Sequence, residues 1–284
     1  MYLLKIISKL FLKRLLFLVP NSFLSKFLKI FKPGDMNQYG YSRHVFFDRH
    51  FNKMRGYKNI KNPVIMELGP GNALTSCIFA KVAEAKKIYL IDSFDLADKN
   101  VALYKNVIKK LPEHEKYKLG LVDYSNFNLF LKSLNAEYCS NCLEDLKNIK
   151  DNSIDYLFSH SVMEHVRLKD LKILIFEMYR ILRKGGVISH VIDFSDHLGF
   201  GLNNLRFGKR FWELDFVANS GFYTNRVSSI EMMNLFEKQK FKIISKKLIK
   251  WKEIPIKKNN IHRDLSHFTR QDLMYHNLHI FLSK

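Results

Sequence analysis

The chain has 284 residues, with 47% hydrophobic and 14% aromatic residues but only 12 Gly and 6 Pro, which excludes a disordered, collagenous or low-complexity protein. One large domain with additions is expected from that length. Three cysteines (Cys77, Cys139, Cys142) are too few and odd in number for a disulfide framework, which favours free thiols and the cytosolic side. Lys plus Arg number 47 against 27 Asp plus Glu, a net charge of +20 that points either to anionic partners or to compositional drift toward lysine on solvated faces.

Residues 1–35 are expected to form a basic amphipathic segment, ahead of a domain over 36–284. Seven cationic residues (Lys5, Lys9, Lys13, Arg14, Lys26, Lys29, Lys32) precede the first acid, Asp35. At 100° per residue, Lys5, Lys9 and Lys13 share one stripe, with Leu3, Ile7, Leu10, Phe11, Leu15 and Leu18 opposite. Pro20 ends that helix, and Ser22 to Phe31 repeats the pattern. The longest uncharged stretch, Leu15 to Ser25, is eleven residues and contains Pro20, well short of the about 20 needed to cross a bilayer. Two readings stay open for 1–32: a helix pair in the interface of an anionic membrane leaflet, or a helix pair packed on the main domain.

Asn62-Pro63 punctuates the start of Val64-Ile65-Met66-Glu67, an apolar run predicted to be a buried parallel strand. It leads into Leu68-Gly69-Pro70-Gly71-Asn72-Ala73 and then a helical pattern from Leu74 to Ala85. In a strand, Gly-rich turn and helix of this kind, Gly69 and Gly71 let the backbone approach a ligand at the helix N-terminus. Glu67 is unwelcome beside a pyrophosphate but suits the cationic amino group of S-adenosylmethionine. The third glycine of the dinucleotide fingerprint is replaced by Leu74. A second apolar strand, Lys87 to Ile91, ends in Asp92, twenty-five residues after Glu67, where a carboxylate can accept from both hydroxyls of a ribose.

Glu67 to Ala73 and Asp92 carry a resemblance to the class I S-adenosylmethionine-dependent methyltransferases. Ser153 to Val166 resembles the fourth-strand motif of that superfamily, and Glu177 to Val187 the helix and turn before its fifth strand. Within the superfamily the chain is similar to bacterial methyltransferases associated with surface-polysaccharide biosynthesis. The resemblance runs from about Val64 to Lys284. It implies an α/β fold: a Rossmann-like, seven-stranded, mostly parallel sheet with a reversed last strand. To this are added the N-terminal amphipathic helices and an insertion or lid over about 198–226. It also implies S-adenosylmethionine held by Glu67, Gly69, Gly71, Asn72, Asp92, Leu143 and Ser159. Two positions depart from the pattern: Cys142 stands where an acid usually contacts adenine, and Lys184 where a proline precedes Gly185-Gly186.

Methyl transfer from a sulfonium to a hydroxyl needs an in-line acceptor and gains from a neutral histidine as base. Such groups belong on the loops after the fourth and fifth strands. His160, Glu164 and His165 follow the fourth strand; His190, Asp193, Asp196 and His197 lie in or after the fifth. His165 or His197 is the expected base, with Asp193 orienting it. No Asp/Asn-Pro-Pro-aromatic motif follows the fourth strand, which argues against transfer to a nucleobase amine. No metal is assigned, since Asp193, Asp196 and His197 are better explained as loop caps. Cys139 and Cys142 lack the second pair a zinc site needs.

The insertion holds Arg206, Lys209, Arg210, Trp212, Phe216, Phe222, Tyr223 and Arg226. Either these aromatic rings and Arg forks cover an anionic saccharide, or they pack the insertion on the core. A helix over Ser229 to Lys238, a sixth strand over Phe241 to Ile249 and a last over Asn277 to Lys284 complete the scaffold, together with an apolar helical stripe of Leu168, Leu171, Ile175, Met178 and Leu182. Extra helices over the cofactor are expected between Leu111 and Leu134. The leading reading is an O-methyltransferase for a saccharide or glycolipid-type precursor, peripheral on the cytoplasmic face of a membrane. RNA methylation, a non-catalytic membrane scaffold and a nicotinamide-dependent reductase are its rivals, with nucleic acid disfavoured.

Overall fold

A computed structural model describes residues 39–284; the basic segment 1–35, apart from which the domain was expected to begin, lies outside the described residues. The chain opens with helix α1 (39–57), in which the α-helical ends Tyr39–His44 and Asn52–Tyr57 flank a π-helical stretch, Val45–Phe51. Strand β1 (Val64–Leu68) and helix α2 (Ser76–Val82) follow the predicted strand, turn and helix. After β2 (Lys87–Ile91) come α3 (Val101–Lys109), α4 (Glu113–Leu119) and α5 (Phe127–Ser133). Helices α4 and α5 are the additions expected between Leu111 and Leu134.

The remaining units are β3 (Ala136–Cys139), α6 (Cys142–Asn148), β4 (Ile154–His160), α7 (Leu168–Ile181) and β5 (Leu182–Asp193). The insertion contains α8 (Lys209–Trp212) and α9 (Asp215–Ala218). Helix α10 (Ser229–Lys238), β6 (Lys242–Lys250), α11 (Arg270–Leu273) and β7 (Tyr275–Ser283) close the chain. Ser228 and Glu231 form a reciprocal cap that sets the start of α10.

The seven strands form one sheet in the order β3-β2-β1-β4-β5-β7-β6. Neighbours from β3 to β5 are parallel, while β7 runs antiparallel to both β5 and β6. That is the expected α/β sheet with a reversed last strand. Parallel strands covered on both sides read as unbroken apolar runs, and alternate residues feed opposite cores. Ile65, Ile88, Leu90, Tyr156 and Phe158 pack under α1 to α5. Met66, Leu68, Ile91, Leu157 and Ile188 pack under α6, α7 and α10. Accordingly α4 and α5 bury Leu119, Phe130 and Leu131 in the first of these cores.

Two expectations shift at this level. The α7 stripe is Leu171, Leu174, Ile175, Met178 and Ile181; Leu168 lies in the first turn at 39% exposure, and Leu182 already pairs with Ile154 as the first residue of β5. The second is the long connection 251–274 between β6 and β7, which sequence reading passed over. It builds a satellite core of its own from Ile256, Leu265, Phe268 and Leu273 with Leu202 and Leu205 of the insertion. Among the described residues no helix is long and apolar enough to cross a membrane.

Candidate active site

The turn after β1 lies against the ends of two neighbouring strands. Gly69 donates its N–H to the Ile91 carbonyl of β2 at 2.8 Å. Its φ of +68° favours glycine, and a Cβ there would collide with the Val162 side chain just beyond β4. Gly71 also has a positive φ, +67°, but a Cβ there would meet no atom within 4 Å. Its N–H donates to Asp92 Oδ2 at 3.0 Å, and Ser93 N donates to Asp92 Oδ1 at 2.7 Å. Asp92 is thus held face-on to the turn by two backbone donors, with acceptor capacity left on both oxygens.

Glu67 is 8% exposed, and its Oε2 is buried with no hydrogen-bond partner, as is Asn72 Oδ1. Burial, opposed by the Ser76 hydroxyl and reinforced by the Asp92 charge, pushes the Glu67 carboxyl up to about 7. The Cys142 N–H donates to the Asp92 carbonyl at 2.9 Å, which seats the first turn of α6, and with it Leu143, beside the carboxylate. Burial also raises the Cys139 and Cys142 thiols to about 11, so both stay protonated at neutral pH. Ser159 pairs with Leu68 at the start of this turn, but its side chain faces away from it. Its Oγ bonds His190 Nδ1 at 2.7 Å in the core under α10, where His190 stacks on Phe236.

The titratable groups after β4 and β5 separate into distinct environments. His165 and His197 meet: their rings stack at 4.9 Å with Nε2 to Nε2 at 3.1 Å, and His165 Nδ1 lies 2.7 Å from the Tyr223 carbonyl. A carbonyl only accepts, so with both rings neutral His165 carries its proton on Nδ1, accepts at Nε2 from His197, and leaves a lone pair on His197 Nδ1. Asp193, expected to orient them, instead accepts from Ser195 N at 2.9 Å and Ser195 Oγ at 2.7 Å. The orienting acceptor is the Tyr223 carbonyl, delivered by the insertion from 58 residues away in sequence, a distance at which local spacing carries no signal.

Glu164 is fully enclosed: Oε1 accepts from Asp193 N at 3.2 Å, Oε2 has no partner, and burial pushes the carboxyl up to about 8. Asp196 caps the start of the insertion, accepting from the N–H groups of Leu198, Gly199 and Asn203. Asn225 ties the insertion back to β4. It donates through Nδ2 to the carbonyls of Met163 and Val166, and its own N–H donates to Glu164 O.

Trp212 and Tyr223 of the insertion turn inward rather than form a stacking surface. Trp212 and Tyr223 are at most 2% exposed and, with Leu198, Phe207 and Val217, make a small core. Arg226 is buried over Trp212 and donates to the Phe207 carbonyl. Burying these rings is the strongest stabilisation open to a stretch whose helices are single short turns, so packing wins over display for them.

A polar chain on the opposite, α1 side of the sheet escaped sequence reading. It runs from Tyr41 OH to His160 Nε2 (3.4 Å), His160 Nδ1 to His50 Nε2 (3.2 Å), His50 Nδ1 to Ser189 Oγ (2.8 Å), and Ser189 Oγ to His279 Nε2 (3.1 Å). The one available signal was polar residues inside apolar strand runs: Ser189 between Ile188 and Val191, and His279 between Leu278 and Ile280.

Residues 66–189 match a family described as a methyltransferase domain, a range that begins within β1 and takes in the glycine turn, Asp92 and the β4 motif. No curated protein matches the chain. Among solved structures, the chain is similar to a SAM-dependent methyltransferase from Archaeoglobus fulgidus, at 12% identity and TM-score 0.45, covering 92% of this chain and 98% of that one. It is similar at 10% identity and TM-score 0.45 to the 1,6-didemethyltoxoflavin-N1-methyltransferase of Burkholderia thailandensis, solved with S-adenosylhomocysteine, covering 87% and 84%. An S-adenosylmethionine-dependent methyltransferase from Mesorhizobium loti aligns at 12% identity and TM-score 0.45, covering 82% and 96%. Over the matched residues 66–189, on a sheet ordered 3-2-1-4-5-7-6, the chain carries an S-adenosylmethionine-dependent methyltransferase domain.

Proposed function

We propose that the chain transfers the methyl group of S-adenosylmethionine to a hydroxyl oxygen of a saccharide or glycolipid-type acceptor. The residues at the turn fit the cofactor. Glu67 keeps a buried oxygen without a partner, Gly71 leaves open space where any other residue would place a Cβ, and Asp92 is anchored with lone pairs to spare. In this reading Glu67 meets the amino cation, Asp92 the ribose hydroxyls, and Gly69, Gly71 and Asn72 line the approach. Leu143 borders the adenine, and Ser159 supports the strand tip through His190. When bound, the cofactor supplies an electrophilic methyl group on a sulfonium.

The observation that carries the oxygen acceptor is the His165–His197 pair. His165, locked by the Tyr223 carbonyl, holds His197 in one tautomer, and His197 Nδ1 accepts the acceptor's proton as the new bond forms. Asp193 holds the Ser195 turn two residues before His197. The saccharide is supported by the similarity in sequence of the chain to the polysaccharide-associated methyltransferases; the packed rings of 198–226 lend it no further weight. Residues 1–32, by charge and periodicity, would hold the domain at an anionic leaflet on the cytoplasmic face.

Incubation of the full chain with methyl-labelled S-adenosylmethionine and a panel of nucleotide sugars and lipid-linked saccharides tests this. Label in a base-stable ether on the sugar is expected. Label found only on amines or on RNA would overturn the acceptor class while leaving the methyltransferase intact.

A further inference from the structure

The buried chain on the α1 face ends at the rim beside the cofactor turn. His160 is the last residue of β4, one position beyond Ser159, which pairs with Leu68; two residues on, Val162 presses against Gly69. The backbone reverses at Ser161, a non-glycine residue at φ +54°, whose N–H donates to Val191 O. Such strain persists where the surroundings enforce it, and it clusters at functional sites. The π-helical turn that carries His50 is a second rare feature of the same place, and π segments also concentrate at functional sites.

Every link of the chain joins groups that both donate and accept. Tyr41 to His279 can therefore be satisfied in either of two directions: His160 Nε2 accepts from Tyr41 and the rest point inward, or His279 Nε2 donates and the rest point outward. Both states have all three imidazoles neutral. The surroundings enforce neutrality, because the charged groups near the chain are Arg49, Lys53 and Lys247, with His44 at the rim, and among the described residues no carboxylate pairs with it. Burial, foremost, and these cations push His160 and His279 down to about 4. His50 is buried, His160 half-buried, and Tyr41 is 56% exposed, so the chain opens at the Tyr41 end.

We propose that Tyr41 and His160 are a second contact for the acceptor, one that can give or take a hydrogen bond, and that His50, Ser189 and His279 are positioning residues that keep it neutral. The proposal rests on the methyltransferase reading and deepens it. A saccharide carries several hydroxyls, so one other than the methylated one is available to His160. A neutral, reversible partner suits a hydroxyl, which itself donates and accepts, and it suits a carboxylate or phosphate poorly.

The test uses the full chain saturated with S-adenosylhomocysteine, observed through histidine-ring proton–nitrogen spectra and titrated with methyl α-D-mannopyranoside, with cyclohexanol as the single-hydroxyl control. His160 ring signals should shift with the glycoside and much less with cyclohexanol. Ser189→Ala, a small buried change, should split or broaden the His160 signals and weaken glycoside binding several-fold; Tyr41→Phe should weaken it with the His160 signals of the glycoside-free protein neither split nor broadened. Affinity for S-adenosylhomocysteine should stay within twofold in both variants. An unmoved His160 at 100 mM glycoside, or a shift equal for both probes, would overturn the acceptor contact. A His160 that titrates the same in Ser189→Ala would overturn the positioning role. Failure of S-adenosylhomocysteine to bind the unaltered chain would instead sink the methyltransferase reading.

Discussion

His165 and His197, 32 residues apart, share one hydrogen bond between their Nε2 atoms at 3.1 Å, and the Tyr223 carbonyl decides which of them donates. His197→Gln should therefore lower kcat by about 10²–10⁴ if His197 Nδ1 takes the proton, with cofactor affinity unchanged. His165→Gln should lower kcat less, because it loosens the base without removing it. Asp193→Asn should have little effect on the pH profile. Steady-state kinetics with the acceptor found by labelling checks all three, and a large Asp193→Asn effect would restore the orienting role expected from sequence.

Asp92 holds the turn through Gly71 N and Ser93 N. Asp92→Ala should weaken S-adenosylmethionine binding by about 1–3 kcal/mol, which is roughly 5-fold to 150-fold in Kd. Isothermal calorimetry on the full chain measures it; an unchanged Kd would remove Asp92 from the cofactor seat.

The two glycines of the turn should behave differently. Gly71→Ala meets open space and adds only the strain of a positive φ, about 1–2 kcal/mol. Gly69→Ala adds the same strain and a collision with Val162, so it should abolish cofactor binding or lower the melting temperature far more. Val162→Ala should restore part of the Gly69→Ala loss and none of the Gly71→Ala loss. Equal effects of the two glycine substitutions would contradict the close approach of β4 to the turn.

Cofactor binding should also report the proton on Glu67. Its carboxyl, pushed up to about 7 by burial, is protonated in the free protein below that pH, whereas the ammonium of the cofactor favours the carboxylate. Below pH 7 binding must release a proton, so affinity should rise with pH by up to about tenfold per unit and level off above 7. Calorimetry in buffers of different ionisation enthalpy measures the proton count, and Glu67→Gln should bring it to zero.

Acid should destabilise the fold earlier than carboxylate titration alone would dictate. Burial lowers His50 well below its ordinary value, His160 and His279 to about 4, and His190 to about 3. These four stay neutral when folded but charge near pH 6.5 when unfolded, so their contribution is whole above 6.5 and is lost as pH falls toward 4. Glu67 and Glu164, raised to about 7 and 8, act with the opposite sign, since the folded state binds their protons first. Four histidines against two carboxyls nearly cancel at pH 6.5 and approach a net two protons favouring the unfolded state near pH 5.5, a loss of about 2–3 kcal/mol per pH unit between 5.5 and 4.5. Urea midpoints across that range test it, and a flat profile would show that the histidines titrate normally.

Local sequence determined the cofactor half of this protein. A strand that ends in Glu67, a turn built on two glycines, and a second strand that ends in Asp92 are neighbours in the chain, and each obeys a short-range rule: two-residue alternation, positive φ, helix N-terminus. The parallel sheet followed, because its apolar runs must be buried on both faces. The pairings beyond β4 and β5 were decided by tertiary structure. His165 meets His197 because Tyr223 returns from the insertion, and His160 meets His50 because α1 crosses the sheet with a π turn. Trp212 and Tyr223 turned inward for the same reason, since a residue's exposure depends on what packs against it from far along the chain. Such pairings are set by which surfaces close on one another, and no spacing along the sequence encodes that.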